Sequence, residues 1–282
     1  MTFEDFISPQ ARRLDFIQNY LALNGIETSV IPIKNKQHLL VRFNPKQYDP
    51  SFRMKTVIAH YDRVDNSEGA NDNSFAVFNL MEWAKELSKL PYSHNIRLIF
   101  TDGEEQSDGG VKSQGAFLLA ELLKKLEITD DIYVFDCMGR GEVPVLSNPN
   151  LPPKAKKSFL LKYRNLEKRA SQILSSSSDK WLSLPTAYSD NAGFLAAGIP
   201  CVAITMLPAL EATNYIKLLI ETKAHSYSEV MSKNNKNLLK KYFPITWLLI
   251  NSHRDTKETL TVESVKIFQK ILNNLALQKT LT

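Results

Sequence analysis

Short apolar runs alternate with longer segments of helical periodicity along most of this chain. Residues 56–59, 96–100 and 132–135 have the length and β-branched content of buried strands. Between them, residues 75–83 and 115–126 carry apolar side chains at helical spacing. This alternation predicts a three-layer α/β/α fold with a central mixed, mainly parallel sheet.

The sequence on either side of this central part predicts further elements. Helices are expected over residues 10–23, 158–174 (followed by a serine exit loop at 175–178), much of 210–242, and 261–277. A hairpin is expected over residues 26–43, and a strand over 201–205. In the last helix, one apolar stripe is predicted from Val262, Val265, Phe268, Leu272 and Leu275. With no repeat or linker in between, we predict one domain over residues 1–282, with residues 206–245 as a lid or interface insertion.

Composition narrows the functional class. The chain has 282 residues, is 43% hydrophobic and carries a net charge of +5. It lacks both a basic-then-apolar leader and any run of the roughly 18 to 20 apolar residues needed to span a bilayer. Its lysine tracts have no interleaved aromatic residues, so we expect neither a nucleic-acid partner nor a membrane partner. The two cysteines, Cys137 and Cys201, fit buried thiols in a reducing compartment, which favours a cytoplasmic location.

Each of the three central strands ends in side chains of the kind that bind metals. In open α/β sheets, ligands bind at the carboxyl ends of the strands, so these side chains are expected to meet. They are His60 and Asp62, then Asp102, Glu104 and Glu105, and finally Asp136.

The spacing of these residues suggests roles for several of them. Asp62 lies two residues after His60, on the same side of an extended chain, and is placed to accept the second N–H of a metal-bound imidazole. Asp72 starts a helix, where a carboxylate also serves as an N-cap. Glu104 and Glu105 are adjacent, so if one binds a metal the other is free to move protons. Such a mixed nitrogen and oxygen set suits Zn²⁺, with Co²⁺ or Mn²⁺ as alternatives, bound as one ion or two.

The order of these motifs resembles the co-catalytic zinc aminopeptidases, and also the glutaminyl cyclases built on the same zinc-exopeptidase fold. The resemblance runs from about residue 10 to the C-terminus. It is carried by four stretches: His60-x-Asp62, Gly69-Ala70-Asn71-Asp72-Asn73, Asp102-Gly103-Glu104-Glu105, and Ser189-Asp190-Asn191 with Ala197-Gly198-Ile199-Pro200.

The resemblance implies a role for each matching residue. His60 and Asp136 would hold one zinc, Asp72 would bridge two, and Glu105 would bind the other. Glu104 would be the general base, and Asp62 would orient His60.

The last ligand position of the family departs from the pattern. The family has a histidine four residues before an aspartate, and alignment on Asp255 puts Asn251 there. Three possibilities stay open. His253 is recruited by a local shift, Asn251 leaves one well-held metal, or His225 reaches in from the 206–245 segment.

The sequence therefore predicts a zinc-dependent exopeptidase, an aminopeptidase that hydrolyses short peptides or related amino-acid-derived substrates. The first alternative is a non-catalytic relative that binds a peptide, an amino acid or a metal, because Asn251 stands at a ligand position. Acyl transfer of the glutaminyl cyclase type is disfavoured, because the resemblance implies that cyclases bind their single zinc through the very set that lacks its histidine here. The sequence does not predict an oligomeric state.

Overall fold

The structure, a computed structural model, describes residues 1–105, 109–151 and 154–282. Its strands are β1 (Glu27–Ile33), β2 (Lys36–Arg42), β3 (Lys55–His60), β4 (Ile96–Thr101), β5 (Asp131–Phe135), β6 (Val143–Ser147), β7 (Leu182–Leu184) and β8 (Cys201–Leu207). Among the described residues they form one sheet in the order β1-β2-β4-β3-β5-β8-β6-β7. The four strands at its centre, β4, β3, β5 and β8, are mutually parallel, and antiparallel pairs flank them.

Helices connect the strands. They are α1 (Phe3–Ile7), α2 (Arg13–Leu23), α3 (Phe75–Ser88), α4 (Gly115–Lys125), α5 (Lys157–Ser177), α6 (Asn191–Ala196), α7 (Ala209–Thr222), α8 (Tyr227–Val230), α9 (Lys236–Tyr242), α10 (Ile245–Leu249) and α11 (Val262–Leu277). No helix in the described ranges is long and apolar enough to cross a membrane.

Side-chain alternation along the central strands builds two cores. In β3, Val57 and Ala59 pack on one face of the sheet with α2, α3, α5 and α11, whereas Ile58 packs on the other face with α4 and α6. All six residues of β3 are buried, as expected for a strand covered on both faces. The predicted three-layer α/β/α fold with a mixed sheet is confirmed, and so is the hairpin, as β1 and β2.

Two local expectations were wrong. The serines predicted to leave helix α5 continue it to Ser177, whose hydroxyl donates to the Ile173 carbonyl at 2.7 Å and so stays satisfied inside the helix. Val262, the first residue of α11, is 72% exposed, whereas Phe268, Leu272 and Leu275 are buried. The apolar stripe therefore starts later than its spacing predicts, because the first turn of α11 is not covered.

The segment after β8 forms a third apolar cluster at the β6–β7 edge of the sheet. Helix α7 packs Tyr215 and Leu218 against Val143 and Val145 of β6, and Val230 of α8 joins them. Residues 206–245 are thus anchored by their own core, and their use as a lid or an oligomer interface stays a prediction.

His38 of β2 gives the fold a dependence on pH. The side chain is fully buried, and its Nδ1 accepts the Asp102 backbone N–H at 3.2 Å. Burial lowers the pKa of His38 to about 4 from its ordinary value of about 6.5. Between these pH values the unfolded chain binds a proton at His38 that the folded chain does not, so stability falls as the pH drops from 6.5 towards 4.

We expect His38→Asn to reduce this loss of stability on acidification. An asparagine oxygen still accepts the Asp102 N–H but does not titrate. The measurement is the free energy of unfolding in urea at about pH 4.5 and about pH 7, compared between the two proteins. His225→Asn, at an exposed histidine, is the matched control. An acid-induced loss of the same size in His38→Asn and the wild type would contradict the assignment.

Candidate active site

The carboxyl ends of β3, β4 and β5 bring the predicted ligands together. His60 is the last residue of β3 and pairs in register with Thr101, the last residue of β4. Glu104 and Glu105 lie in the loop after β4, and Asp136 directly follows β5. Because the three strands are adjacent and parallel, these side chains converge at one edge of the sheet.

A buried turn before α3 carries Asp72 over this edge. Gly69 has φ +57°, and a Cβ there would lie 2.7 Å from the Asp72 carbonyl oxygen, so the turn requires glycine. Asn71 accepts the Gly139 backbone N–H at 2.7 Å, and Asn73 donates to the Phe135 carbonyl at 2.8 Å. The Asp72–Asn73 peptide bond is cis. The two asparagines tie the turn to the end of β5, beside Asp136.

Three side chains form the tightest part of the site. His60 Nε2 lies 3.2 Å from an Asp72 carboxylate oxygen and 3.6 Å from an Asp136 oxygen. The imidazole is fully buried, and Asp72 is 5% exposed. Glu104 and Glu105 complete a second group with His60, whose ligand atoms all lie within 4.8 Å of one another.

Asp62 supports this arrangement from behind. Its carboxylate accepts the backbone N–H groups of Glu104 and Glu105 at 3.2 and 3.0 Å. One of its oxygens lies 3.6 Å from His60 Nδ1. A single carboxylate therefore faces the imidazole and fixes the loop that carries both glutamates.

The electrostatics of the site are dominated by burial and by mutual repulsion of carboxylates. Burial raises the pKa of Glu105 to about 8, and the charge of Asp72 adds to the rise. Burial also raises the pKa of Glu104 well above its ordinary range. Burial by itself would lower the pKa of His60, but the surrounding Asp136, Asp62 and Asp72 outweigh it and raise the pKa well above its usual value. The site therefore favours positive charge at its centre.

These residues fit a bound divalent metal. Within the described residues, neither nitrogen of His60 nor the buried Oδ1 of Asp136 finds a partner with hydrogen-bonding geometry. In a tetrahedral zinc site with metal–ligand distances of about 2.0–2.2 Å, neighbouring ligand atoms are about 3.4 Å apart. The distances of 3.2 and 3.6 Å from His60 Nε2 bracket that value. A cation between these oxygens would also relieve the repulsion among them.

The three possibilities at the last ligand position are placed differently. His253 and His225 are both exposed, and neither belongs to a group of potential metal ligands found among the described residues. Asn251 reaches the site. In the amide orientation that satisfies both groups, its nitrogen donates to the two oxygens of Glu105, at 2.9 and 3.0 Å. His253 as a metal ligand stays a prediction, and the structure does not bring it to the cluster.

Asp255 and Asp190 contribute more to the site than the sequence indicated. Asp255 is fully buried and accepts the backbone N–H groups of Asn71 and Asp72 at 2.8 and 3.0 Å. Asp190 is fully buried and accepts the Thr101 hydroxyl. Burial raises the pKa of Asp190 to about 7 and that of Asp255 to about 6. Asp190 lies in one of the four stretches that carry the family resemblance, and Asp255 is the aspartate on which the last ligand position was aligned; the sequence held no other signal for their roles.

A small cavity opens directly onto Asp72, Glu104 and Asp136. Its volume is about 160 Å³. Within the described residues, no lysine or arginine lines it. Its lining also includes hydroxyl groups and aromatic rings, from Ser147, Thr186, Ser189 and Thr205, and from Tyr188, Tyr227 and Trp247. The cavity thus combines acidic, hydroxyl and aromatic groups, and its size suits one amino-acid side chain.

A larger cavity, of about 630 Å³, lies at the opposite, amino-terminal ends of β5 and β8. Its central charges bind one another, because Asp131 pairs with Arg53 at 3.0 Å and with Arg169 at 2.6 Å. The candidate site residues Asp72, Glu104 and Asp136 line the smaller cavity instead.

The histidine and carboxylate side chains at the strand ends of this α/β/α sheet are typical of a metallopeptidase-like protein. The chain belongs to peptidase family M28, whose sequence profile matches residues 39–250. No curated protein sequence matches the chain at a significant level.

Solved structures with the same fold include both peptidases and cyclases. A glutaminyl cyclase of Porphyromonas gingivalis is 16% identical with a TM-score of 0.64, covering 97% of this chain and 92% of its own. The LapA aminopeptidase of Legionella pneumophila is 14% identical with a TM-score of 0.64, covering 100% and 73%. The zinc aminopeptidase BSAP from Bacillus subtilis is 17% identical with a TM-score of 0.52, covering 86% and 49%. At identities of 14–17%, these similarities show a shared fold alone.

We expect Asp255→Asn to lower the affinity of the chain for Zn²⁺ by about 10- to 100-fold, the usual cost of losing a residue that orients a metal ligand. An asparagine has one side-chain oxygen, so its amide would turn a donor towards one of the two N–H groups that now position Asp72. Competition with a zinc-chelating dye measures the affinity. Asp65→Asn, at an exposed acid of the neighbouring loop, is the control and should leave it unchanged. Equal affinities for wild type and Asp255→Asn would contradict this role.

Proposed function

We propose that this protein is a zinc-dependent aminopeptidase that removes N-terminal residues from short peptides. The observation that carries the proposal is the buried His60–Asp72–Asp136 cluster, with Glu104 beside it at the base of a one-residue cavity. His60, Asp72 and Asp136 would hold the metal. When bound, Zn²⁺ would supply Lewis acidity, lowering the pKa of a water molecule and polarising the scissile carbonyl.

Glu104 is the residue placed to move the proton. It lines the cavity, and Asp62 accepts its backbone N–H, so a substrate bound in the cavity would lie beside it. It accepts a proton from the attacking water and passes it to the nitrogen of the departing peptide. Geometry of this kind is the first requirement of a general base, and tuning of its pKa is the second.

The charge of the cavity favours an amino terminus over a carboxyl terminus. Asp72, Glu104 and Asp136 line its base, and lysine and arginine are absent from its described lining. A free ammonium group is attracted to such a base, whereas a terminal carboxylate is repelled. Tyr188, Tyr227 and Trp247 also line the cavity, and their rings would supply apolar contact for the side chain of the N-terminal residue of the substrate.

We expect Glu104→Gln to lower kcat for an aminoacyl-p-nitroanilide by about 10²- to 10⁴-fold, the usual contribution of a general base. The variant should retain its zinc, which elemental analysis measures in the same preparation. Glu86→Gln, at an exposed glutamate of α3, is the control. Turnover at the wild-type rate in Glu104→Gln would sink the assignment. A wild-type protein that binds zinc but hydrolyses no peptide would favour the non-catalytic binding role.

Glutaminyl cyclisation is the second candidate. The observation that favours it is the match to the Porphyromonas gingivalis glutaminyl cyclase over nearly the full length of both chains. The two activities differ in product, since cyclisation of an N-terminal glutamine releases ammonia and leaves the peptide at full length. Incubation with a Gln-Ala-Ala peptide, followed by an ammonia assay and mass spectrometry, separates them. Loss of the first residue without ammonia supports the peptidase, and release of ammonia with a product lighter by the mass of one ammonia molecule supports the cyclase.

A further inference from the structure

We propose that this chain holds a single metal at its active site, on His60, Asp72 and Asp136, and that Asn251 converts Glu105 from a ligand of a second ion into a hydrogen-bonded side chain. The inference rests on the proposed metal dependence and adds to it the number of ions and the residue that sets this number.

Only one imidazole is available to the site. The chain has five histidines, all within the described residues. His38 and His94 accept backbone N–H groups, from Asp102 and Ile96 respectively. His225 and His253 are exposed, and neither belongs to a group of potential metal ligands among the described residues. Cys137 and Cys201 are free thiols, and neither belongs to a group of potential metal ligands found among the described residues. A second ion would therefore have to be held without a nitrogen or sulfur ligand other than those of the first.

The Asn251 side chain occupies the place from which such a ligand would come. The residue follows α10 in a left-handed conformation with φ 57°, which asparagine tolerates better than most residues. From there it lines the cavity and contacts both carboxylate oxygens of Glu105, at 2.9 and 3.0 Å. Assigned with its N–H₂ group towards Glu105, the amide donates to both carboxylate oxygens, and this hydrogen-bonded pair satisfies Glu105 without a cation.

The chemistry of the remaining ligands explains why the second ion is lost. Without a second imidazole, the Glu105 side offers the carboxylates of Glu105 and Glu104, a neutral amide and a share of Asp72, and Glu104 is the proposed proton carrier. Zinc prefers nitrogen or thiolate donors to amide oxygen, and this set would also have to break the Asn251–Glu105 contact. The His60 side keeps its imidazole and two carboxylates, and Asp62 stands behind the ring. The His60 side therefore has a full set of ligands for one zinc. On the other side, the Asn251–Glu105 hydrogen bonds take the place of a second ion.

The experiment counts the metal ions. Protein stripped with a chelator is dialysed against buffered Zn²⁺, in parallel against Mn²⁺, and the metal bound per chain is measured by elemental analysis. We expect one zinc per wild-type chain and two per Asn251→His chain, because the substitution restores an imidazole next to Glu105. Asn234→His adds the same side chain at an exposed asparagine and should leave one zinc.

Two further variants keep the inference testable if Asn251→His fails to fold. Glu105→Gln should retain one zinc, because Glu105 is not a ligand of the proposed metal. Asp136→Asn should lose the zinc, because Asp136 is such a ligand. Two tightly bound zinc or manganese ions in the wild type, or loss of zinc in Glu105→Gln, would overturn the proposal. So would a folded Asn251→His chain with one zinc. These counts do not depend on turnover, so an inactive protein with one zinc overturns the proposed peptidase function and leaves the metal count standing.

Discussion

The burial of several carboxylates around one imidazole is the constraint on which the rest of this site depends. Asp72, Asp136 and Glu105 lie close enough to His60 for their charges to shift one another's pKa values. Buried carboxylates are costly unless they are hydrogen-bonded or paired with positive charge. Much of the local backbone is arranged to meet that requirement. Asp62 and Asp255 each accept two backbone N–H groups, and each thereby fixes a loop that carries a predicted metal ligand.

The same requirement connects the N-terminal helices to the site. Arg13 of α2 is buried, and its guanidinium donates to the Tyr61 and Glu68 carbonyls and to the Ser74 hydroxyl. It also lies 5.0 Å from the ring centre of Phe6. Burial lowers the pKa of Arg13 to about 9, and the group remains a cation at neutral pH. One side chain thus braces both ends of the segment between His60 and Asp72, and supplies positive charge near the acidic cluster.

The site is built from two kinds of structure. His60, Asp136 and Glu104 come from the ends of central strands, which are packed on both faces and cannot shift without disturbing the core. Asn251 comes from a turn after α10, on the exposed side of the cavity. A substitution in that turn would therefore change the side chain that contacts Glu105 while the sheet stays intact.

Much of the fold and the site followed from the sequence by itself. Apolar runs of strand length with helices between them determined the three-layer sheet, and the polar residues directly after those runs identified His60, Glu104, Glu105 and Asp136. Such patterns can be recognised in a short stretch of sequence. A buried strand needs apolar side chains, and ligands bind at the carboxyl ends of such strands. The same local reasoning failed at Val262, since exposure depends on which neighbour covers a turn.

Only the tertiary structure decided how the distant segments meet. Asp255 lies 183 residues from Asp72 along the chain, yet it accepts the Asp72 N–H. No periodicity in the sequence predicts the contact between Asp255 and Asp72. Nor did spacing choose among His253, His225 and Asn251, because the choice depends on the direction in which a turn points its side chains. Asn251 contacts Glu105, whereas His253 in the same turn and His225 between α7 and α8 lie outside the groups of potential metal ligands found among the described residues. The sequence determined which chemical groups are present at the sheet edge, and the packing of the loops determined which of them touch.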